Sequence, residues 1–422
     1  MSDGPGARLL RPLRGRDFRL LWLGESVSVV GNHFYSLALA WVVLDVLGAG
    51  GLVLGTVTMA AAVPLALFML FGGVLSDRVH PRRIMLVSNA GRGVLVAGLA
   101  AIVFAQLQGG SVLQVWHLYL FSVVFGTIGA FFLPAMMSMV PILLERDRLE
   151  AGNALLMGTM ELGSLVGPAL AGVVVAAAGT AVAFSVDAAT FIFAAATLGL
   201  MTAGRRTAAL APPGGGVAAG PPRRSGALAD LVSGFRYSWG HRGIRVLLPV
   251  LAIVNLSVAG PFGVGLPVLV HDLTGQATSL GIIMGVAGGG GVVGTLLAGS
   301  LRLRHRGWLL IGALVSGGSC LGLLGLAPSV AVIALLVGLA SVVNGLANVG
   351  LMAYFQRTAR PDMLGRLMSL TMFASAGLQP FSLVLAGYLS DFSPGLMFGG
   401  AGGLIVLAGL GLALSRVVRG MD

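Results

Sequence analysis

The sequence predicts an all-α membrane protein with twelve transmembrane helices in two pseudo-symmetric six-helix bundles. Its 422 residues are 56% hydrophobic and only 10% charged, whereas a soluble domain carries about 25% charged residues. A spanning helix needs about 20 mainly apolar residues, and runs of about that length recur twelve times along the chain. The 66 glycines fit this class, because small residues let helices approach closely in a membrane.

The predicted spans divide into two groups of six around a polar middle segment. The twelve spans cover residues 19–44, 51–75, 84–106, 113–139, 151–177, 181–203, 246–270, 278–300, 308–327, 330–353, 366–389 and 395–415. Residues 204–227 are rich in Pro, Gly, Ala and Arg and show no hydrophobic period, which is typical of a flexible linker. We therefore predict bundles at 1–203 and 244–422, joined by a cytoplasmic segment at 204–243. That segment should contain a short amphipathic helix whose apolar face is formed by Leu228, Leu231, Val232, Phe235 and Trp239.

The positions of the arginines support this topology. All 26 basic residues are Arg, and every one except Arg92 falls in a predicted inner loop, a terminal segment, the linker or at the inner end of a span. Membrane proteins keep Arg and Lys on the cytoplasmic side. We expect both termini in the cytoplasm and the chain in a bacterial inner membrane.

Composition and spacing argue against several other classes of protein. The net charge of +11 lies in loops between apolar runs, which indicates membrane orientation and no nucleic-acid partner. The absence of Lys excludes a Walker-type phosphate loop, and no catalytic constellation or metal-ligand cluster stands out. The Gly-x-Gly-x-x-Gly match at 289–294 lies inside a predicted span, where helix packing explains it. We therefore expect no enzyme, cofactor or metal, and a chain that works as a monomer.

The loop after the second span carries a family motif. It reads Gly73-Val-Leu-Ser-Asp77-Arg78-Val-His80-Pro-Arg82-Arg and resembles the signature loop of the major facilitator superfamily, with His80 in place of the usual Gly. The resemblance implies the major facilitator fold and a conformational latch formed by Gly73, Asp77, Arg78 and Arg82. A carboxylate in such a loop is favoured near a helix N-terminus and beside Arg.

The fifth span resembles the export signature of proton-driven members of this superfamily. The matching residues are Gly163, Gly167, Pro168 and Gly172, with Ala171 in place of one glycine. Gly163 and Gly167 share a helix face and allow close packing, and Pro168 can kink the helix. Together with the segments 13–22 and 235–239, the pattern resembles the branch that contains enterobactin and macrolide exporters.

Charged side chains inside spans are candidates for proton coupling, because each costs about 2.5–3.5 kcal/mol on insertion scales. The candidates are Glu161, Glu25, Arg92 and Asp187. We expect Glu161 to be buried near the middle of the fifth span, where burial favours its neutral form. Arg92 needs a carboxylate beside it, either Glu25 or Glu161, and a permanent pair with Glu161 would make that residue structural. Asp187 lies in the outer half of the sixth span, where we expect water to reach it.

Uncharged polar residues mark a predicted cavity. In the superfamily the first, fourth, seventh and tenth helices line this cavity, and a polar stripe on a spanning helix should face water and not lipid. The predicted lining residues are Asn32, His33, Tyr35, Asn255, Asn344, Asn348 and Gln379. The fourth span adds Phe and Met side chains, which suit an apolar or amphipathic solute.

These observations favour a secondary active transporter that exports a small apolar or amphipathic solute, such as a drug, siderophore or natural product, by proton antiport. Two bundles would rock around a central cavity in alternating access. An uptake symporter or uniporter, or a lipid flippase, remains open, since each would share the fold.

Overall fold

The computed structural model of this chain describes residues 9–202, 236, 239–300, 306–358 and 364–420. These residues are helical almost throughout, and no strand occurs among them. The helices are α1 (Arg16–Trp41), α2 (Gly51–Arg78), α3 (Pro81–Leu107), α4 (Val115–Leu143), α5 (Leu149–Leu200), α6 (Arg242–Gly260), α7 (Leu266–Thr274), α8 (Ala277–Ser300), α9 (Arg306–Leu323), α10 (Val330–Thr358), α11 (Leu364–Phe392), α12 (Pro394–Leu414) and α13 (Arg416–Arg419). Short π-helical turns, Val42–Val46 and Pro261–Gly265, follow α1 and α6.

Ten helical segments within the described ranges are long and apolar enough to cross a membrane. One of them, Arg146–Leu200, is 55 residues long and covers the predicted span 151–177 and most of the predicted span 181–203. Gly179 separates them with a φ of 84°, a conformation that glycine adopts without steric cost. α11 covers the predicted span 366–389. The count of twelve spans stays a prediction.

The described helices group into two compact units. The first contains α1, α2 from Ala60 onward, and α3 to α5. Within it α5 packs along α1 and α3, and α3 packs against α4. A hydrophobic core fills the space between these helices, with fully buried Leu21, Met85, Met139 and Leu198 at its centre.

The second unit contains residues 43–59, which include the start of α2, together with α6 to α13. Its main contacts are α8 with α10, α9 with α12, and α6 with α11. Gly290, from the segment that matches the nucleotide-binding pattern, lies inside α8. A Cβ there would come within 2.6 Å of the Gly338 carbonyl oxygen in α10, so helix packing accounts for this glycine.

Some sequence predictions fall on parts of the chain that the structure does not describe. In the linker 204–243, only Trp239 of the predicted apolar stripe lies within the described residues, and it is exposed. Gly73, Asp77 and Arg78 lie in the last turns of α2, but the side chains of Asp77 and Arg78 are outside the described part. The domain boundaries and the latch stay predictions.

Candidate functional site

Arg92 is the centre of a buried polar cluster in the first unit. Its side chain lies in α3, 7% exposed, and its Nη2 donates a hydrogen bond to Asn89 Oδ1 at 2.7 Å. Aromatic rings surround the guanidinium: its central carbon lies 4.5 Å from the centre of the Phe191 ring and 4.6 Å from that of Phe132. Planar stacking on aromatic faces stabilises an Arg that has left water.

Two buried carboxylates lie near this guanidinium group. Glu25 of α1 is 7% exposed and Asp187 of α5 is fully buried, and both interact electrostatically with Arg92. Asn89, itself fully buried, lies beside Glu25 and links that carboxylate to Arg92. The cluster therefore contains one cation and two potential anions in the interior of a helical bundle, where unpaired charge is costly.

The close approach of α1 and α5 brings Asp187 into this cluster. Gly31 of α1 faces Asp187, and a Cβ at that position would lie 2.6 Å from Asp187 Oδ1. Thr190, one turn further along α5, has its Oγ1 3.4 Å from the same carboxylate oxygen. Only a residue without a side chain fits between the two helices at this level.

A cavity of about 180 Å³ opens beside Glu25 and Arg92. Polar groups of α1 and α5, including Ser26, Asn32 and Thr159, line part of it, and Trp22 Nε1 donates to Thr159 Oγ1 at 2.9 Å. Apolar side chains complete the wall: Val29, Phe132, Leu133, Met136, Leu156 and Met160. A hydrogen-bonding edge on an apolar pocket is typical of a small-molecule site.

The structure corrects two sequence predictions about carboxylates. Glu161 is exposed on α5, not buried, because the helix turns its Gly163 and Gly167 face toward α1 and leaves Glu161 on another side. Asp187 is fully buried, not accessible to water, because Gly31 allows α1 to cover it. Arg92 therefore lies beside Glu25 and Asp187, and the choice left open by the sequence is resolved in favour of Glu25.

The other predicted lining residues lie in different settings. Tyr35 is buried and stacks on Phe125 with ring centres 4.5 Å apart, whereas His33 is half-buried against Gly167. Asn255 donates from Nδ2 to the Leu251 carbonyl of its own helix at 2.9 Å. In the second unit, exposed amide side chains occur on α10 and α11: Asn344, Asn348 and Gln379.

The glycines of the export signature lie against α1. A Cβ on Gly163 would meet Val29, and one on Gly167 would lie 3.1 Å from His33 Cβ. Pro168 and Gly172 are buried in the same helix. These positions set the distance between α5 and α1, and thereby the width of the cavity.

Two residues of the signature loop have defined contacts. Arg82 donates from Nε to the Leu198 carbonyl at 2.7 Å and from Nη2 to the Gly199 carbonyl at 2.8 Å, which satisfies carbonyls at the C-terminus of α5. His80 Nδ1 accepts a hydrogen bond from the Arg82 amide at 3.3 Å and caps α3. Burial, Arg82 and Arg83 lower the pKa of His80 below its ordinary value.

Sequence reasoning missed Asn89 and Phe191. Asn89 precedes Arg92 by three residues, a spacing at which two side chains on a helix meet, so it could have been found. Phe191 lies on α5, and nothing in its local sequence connects it with Arg92.

The described residues form many apolar helices, and a largely apolar cavity with a few polar groups opens beside buried charges, as expected of a multi-pass membrane transporter. Residues 21–382 match the family model of the Major Facilitator Superfamily, and the chain belongs to that superfamily. The resemblance found in the signature loop is thereby confirmed.

Curated relatives share the sequence over most of its length. The Enterobactin exporter EntS of Citrobacter koseri is 27% identical over 405 residues, which cover 88% of this chain and 90% of the relative. The protein of the same name from Escherichia coli O81 is 29% identical over 310 residues, 72% of this chain and 68% of the relative. The chain is therefore related to proteins named as exporters.

Solved structures show the same fold at low sequence identity. A bacterial homologue of the iron transporter ferroportin, in an inward-facing state, matches with a TM-score of 0.74 at 18% identity, over 96% of this chain and 99% of that one. A bacterial homologue of the human lysosomal transporter Spinster, inward-facing and unoccupied, matches with a TM-score of 0.68 at 14% identity. The match covers 97% of this chain and 96% of that one.

Proposed function

We propose that this protein exports a small amphipathic solute of the siderophore type from the cytoplasm by proton antiport with alternating access. The observation that carries the proposal is the cavity in the first unit, whose wall contains both Glu25 and Arg92. The names of the curated relatives support an exporter of siderophore-like molecules. The bacterial relatives support a location in the inner membrane, and the arginine distribution supports an orientation with both termini in the cytoplasm.

Charge balance supports proton coupling. With Arg92, Glu25 and Asp187 all ionised, the cluster would hold one net negative charge inside a membrane protein, which is unfavourable. One proton shared between the two carboxylates removes that charge. Glu25 lines the cavity, so its proton can leave when solute occupies the site, and the two are exchanged across the membrane.

The volume of the cavity limits how much of a solute it can enclose. Ligand pockets usually measure about 300–1,000 Å³, and this cavity of about 180 Å³ is smaller. It suits one aromatic or polar arm of a larger molecule, with Phe132 and Met136 against its apolar part and Asn32 and Thr159 as hydrogen-bonding groups.

Glu161 has a separate role in this proposal. A carboxylate exposed halfway along a spanning helix is too costly in lipid, so we place it on a water-filled side of α5 where it contacts solute. Replacing Glu161 with Gln should then change the apparent affinity for solute and leave proton coupling intact.

Everted membrane vesicles with an acidified interior test the proposal, with enterobactin as the probe. The wild-type protein should accumulate enterobactin, and an ionophore that collapses the pH gradient should abolish accumulation. Glu25→Gln should lower it at least about tenfold, because a proton-transfer group typically contributes 10²–10⁴-fold. Glu150→Gln, an exposed carboxylate at the start of α5, serves as the matched control and should behave as wild type.

Other outcomes of this assay would reject the proposal. Accumulation that survives collapse of the gradient excludes proton antiport. Movement of solute only in the uptake direction favours a symporter or uniporter. If fluorescent lipids, and not enterobactin, cross the bilayer faster with the protein present, a flippase explains the apolar cavity.

A further inference from the structure

A second cavity lies in the second unit, between α6, α11 and α12. Its volume is about 470 Å³, within the range of about 300–1,000 Å³ that ligand pockets usually occupy. Fourteen of the described residues line it, all of them in the second unit, and none of these fourteen is charged. The cavity is therefore separate from the Arg92 cluster and from the cavity beside it.

Glycines of α12 leave this space open. Gly399, Gly400 and Gly403 line the cavity from one face of the helix, and a Cβ at any of these positions would meet no atom within 4 Å. Gly409, on another face of α12, differs from them, because a Cβ there would lie 2.9 Å from Leu314 Cβ of α9. Helix packing therefore accounts for Gly409 and does not account for the three glycines of the cavity wall.

The edge of the cavity is apolar and open. Leu385 of α11 and Leu404 and Leu407 of α12 line it, and they are 50%, 49% and 66% exposed. Both helices correspond to predicted spans, so these leucines contact the hydrocarbon of the membrane. A charged molecule would have to give up its water to enter from that side, whereas an apolar molecule that is dissolved in the membrane would not. The entrance therefore favours ligands from the lipid phase.

The wall contains two buried hydroxyl groups, and only one of them is paired. Ser382 Oγ accepts from the Gly260 amide at 2.7 Å and donates to the Leu256 carbonyl. Ser257, which also lines the cavity, is 3% exposed, and its Oγ has no hydrogen-bond partner. A buried hydroxyl without a partner is unfavourable and therefore rare. The wall thus offers one free hydrogen-bonding group on an otherwise apolar surface.

We propose that this cavity binds an uncharged, mainly hydrocarbon molecule from the membrane that carries a single hydrogen-bonding group, such as a long-chain alcohol. Its hydrocarbon part lies in the space left by Gly399, Gly400 and Gly403, and its polar group forms a hydrogen bond with Ser257 Oγ. The site goes beyond the proposed export and does not depend on it, because it lies in a different unit and takes a different class of ligand.

The polarity and the length of the cavity distinguish this class from others. A solute with many hydroxyl or carbonyl groups would leave most of them unpaired against such a wall, which is costly. A bare alkyl chain would leave the Ser257 hydroxyl unpaired. On α12 the wall extends from Met397 to Leu407, ten residues or about 15 Å of helix, which accommodates an alkyl chain of moderate length.

Photolabelling of the full chain in lipid nanodiscs tests the site, with a diazirine derivative of dodecanol as the probe. Labelled peptides should come from residues 382–389 of α11 and 397–407 of α12. Labelling should saturate, and unlabelled dodecanol should reduce it, because the cavity holds a limited number of molecules. Labelling that is spread evenly over the exposed leucines and does not saturate would overturn the proposal.

Filling the cavity tests its location. Gly403→Leu should lower labelling at least about tenfold, because the new side chain occupies the space of the ligand. A Cβ at this position meets no atom and Leu favours a helix more than Gly does, so the variant should unfold at or above the wild-type temperature. Gly411→Leu is the matched control on the same helix: a Cβ there also meets no atom within 4 Å, and Gly411 does not line the cavity. It should be labelled as strongly as the wild type.

Ser257→Ala tests the hydrogen bond. It should raise the concentration of the dodecanol probe that gives half-maximal labelling about fivefold, as expected for the loss of a neutral hydrogen bond. A dodecane probe with the same diazirine and no hydroxyl should label the variant and the wild type equally. A change in the packing of the cavity would weaken the labelling by both probes, which separates it from the loss of the hydrogen bond.

Three results would overturn the proposal. Equal labelling of Gly403→Leu and the wild type would show that the probe binds elsewhere. Wild-type affinity of Ser257→Ala for the dodecanol probe would show that the hydroxyl contacts no ligand. Displacement of the probe by enterobactin would assign the cavity to a polar solute.

Discussion

The carboxylate of Asp391, near the end of α11, accepts a hydrogen bond from the Leu52 amide at the start of α2, 2.9 Å away and 339 residues earlier in the chain. Its other oxygen accepts from the Gly51 amide. A negative group at this position satisfies two amides that have no acceptor within the helix and complements the helix dipole. The contact joins two elements of the second unit.

Replacing Asp391 with Ala should lower the free energy of unfolding by about 1 kcal/mol, the typical value of an N-terminal cap. Asp391→Asn retains one acceptor oxygen and should lose less. Thermal unfolding in detergent micelles measures both variants beside the wild type. Equal stability of Asp391→Ala and wild type would show that water replaces the cap without cost.

Arg92→Lys should reduce export at least about tenfold, because Lys lacks the planar guanidinium that stacks on aromatic rings and hydrogen-bonds in a fixed geometry. Phe132 and Phe191 would lose the planar group that lies against their rings, and Asn89 would lose the hydrogen bond that the guanidinium donates. Enterobactin accumulation in everted vesicles gives the measurement, and Arg83→Lys, at an exposed position in α3, is the control. Full activity of Arg92→Lys would mean that charge alone suffices.

Gly31→Ala should destabilise the protein by about 1–3 kcal/mol, the usual cost of excess volume in a packed interior. The added methyl group would lie 2.6 Å from Asp187 Oδ1 and 2.9 Å from Thr190 Cβ. Gly158→Ala is the control, since a Cβ there meets no atom within 4 Å and Ala favours a helix. Thermal unfolding measures both variants beside the wild type. Similar stability of Gly31→Ala and Gly158→Ala would show that α1 can move away from α5 without cost.

The first turn of α3 should become less stable in mild acid. The folded protein keeps His80 neutral at pH values where the unfolded chain already binds a proton, because burial, Arg82 and Arg83 lower its pKa below 6.5. The stabilisation by this cap is complete above pH 6.5 and is lost as the pH falls through the lower pKa of the folded state. Hydrogen exchange of the α3 amides at pH 7.5 and 5.5, corrected for intrinsic rates, should show this loss.

His80→Asn provides the comparison for that experiment, because Asn caps a helix without titrating. Its first turn should exchange at the same corrected rate at both pH values. A wild-type protein without any change between them would show that His80 does not stabilise this turn.

Local sequence was sufficient to identify the spans and the side chains that bear charge within them. A helix in lipid satisfies its own backbone hydrogen bonds. A run of about twenty apolar residues therefore predicts a spanning helix without reference to the rest of the chain. The polar stripe of Glu25, Ser28, Asn32 and Ser36 on the first span could be predicted in the same way, since four residues on one helix have a known angular relationship.

Contacts between distant helices could not be predicted. The sequence indicated Glu161 as the best proton carrier, yet the rotation of α5 leaves it exposed, while Asp187 is covered by α1 at Gly31. Nor does any local pattern connect Phe191 with Arg92, or Asp391 with Leu52.

The sequence by itself determined that this protein crosses a membrane many times, belongs with the major facilitators and holds one Arg among a few carboxylates inside its helices. Only the tertiary structure decided which carboxylates meet that Arg and which line the cavity. The physical reason is that hydrophobicity and helix formation act within one segment, whereas charge pairing depends on how each helix is rotated and how closely glycines let it approach its neighbours.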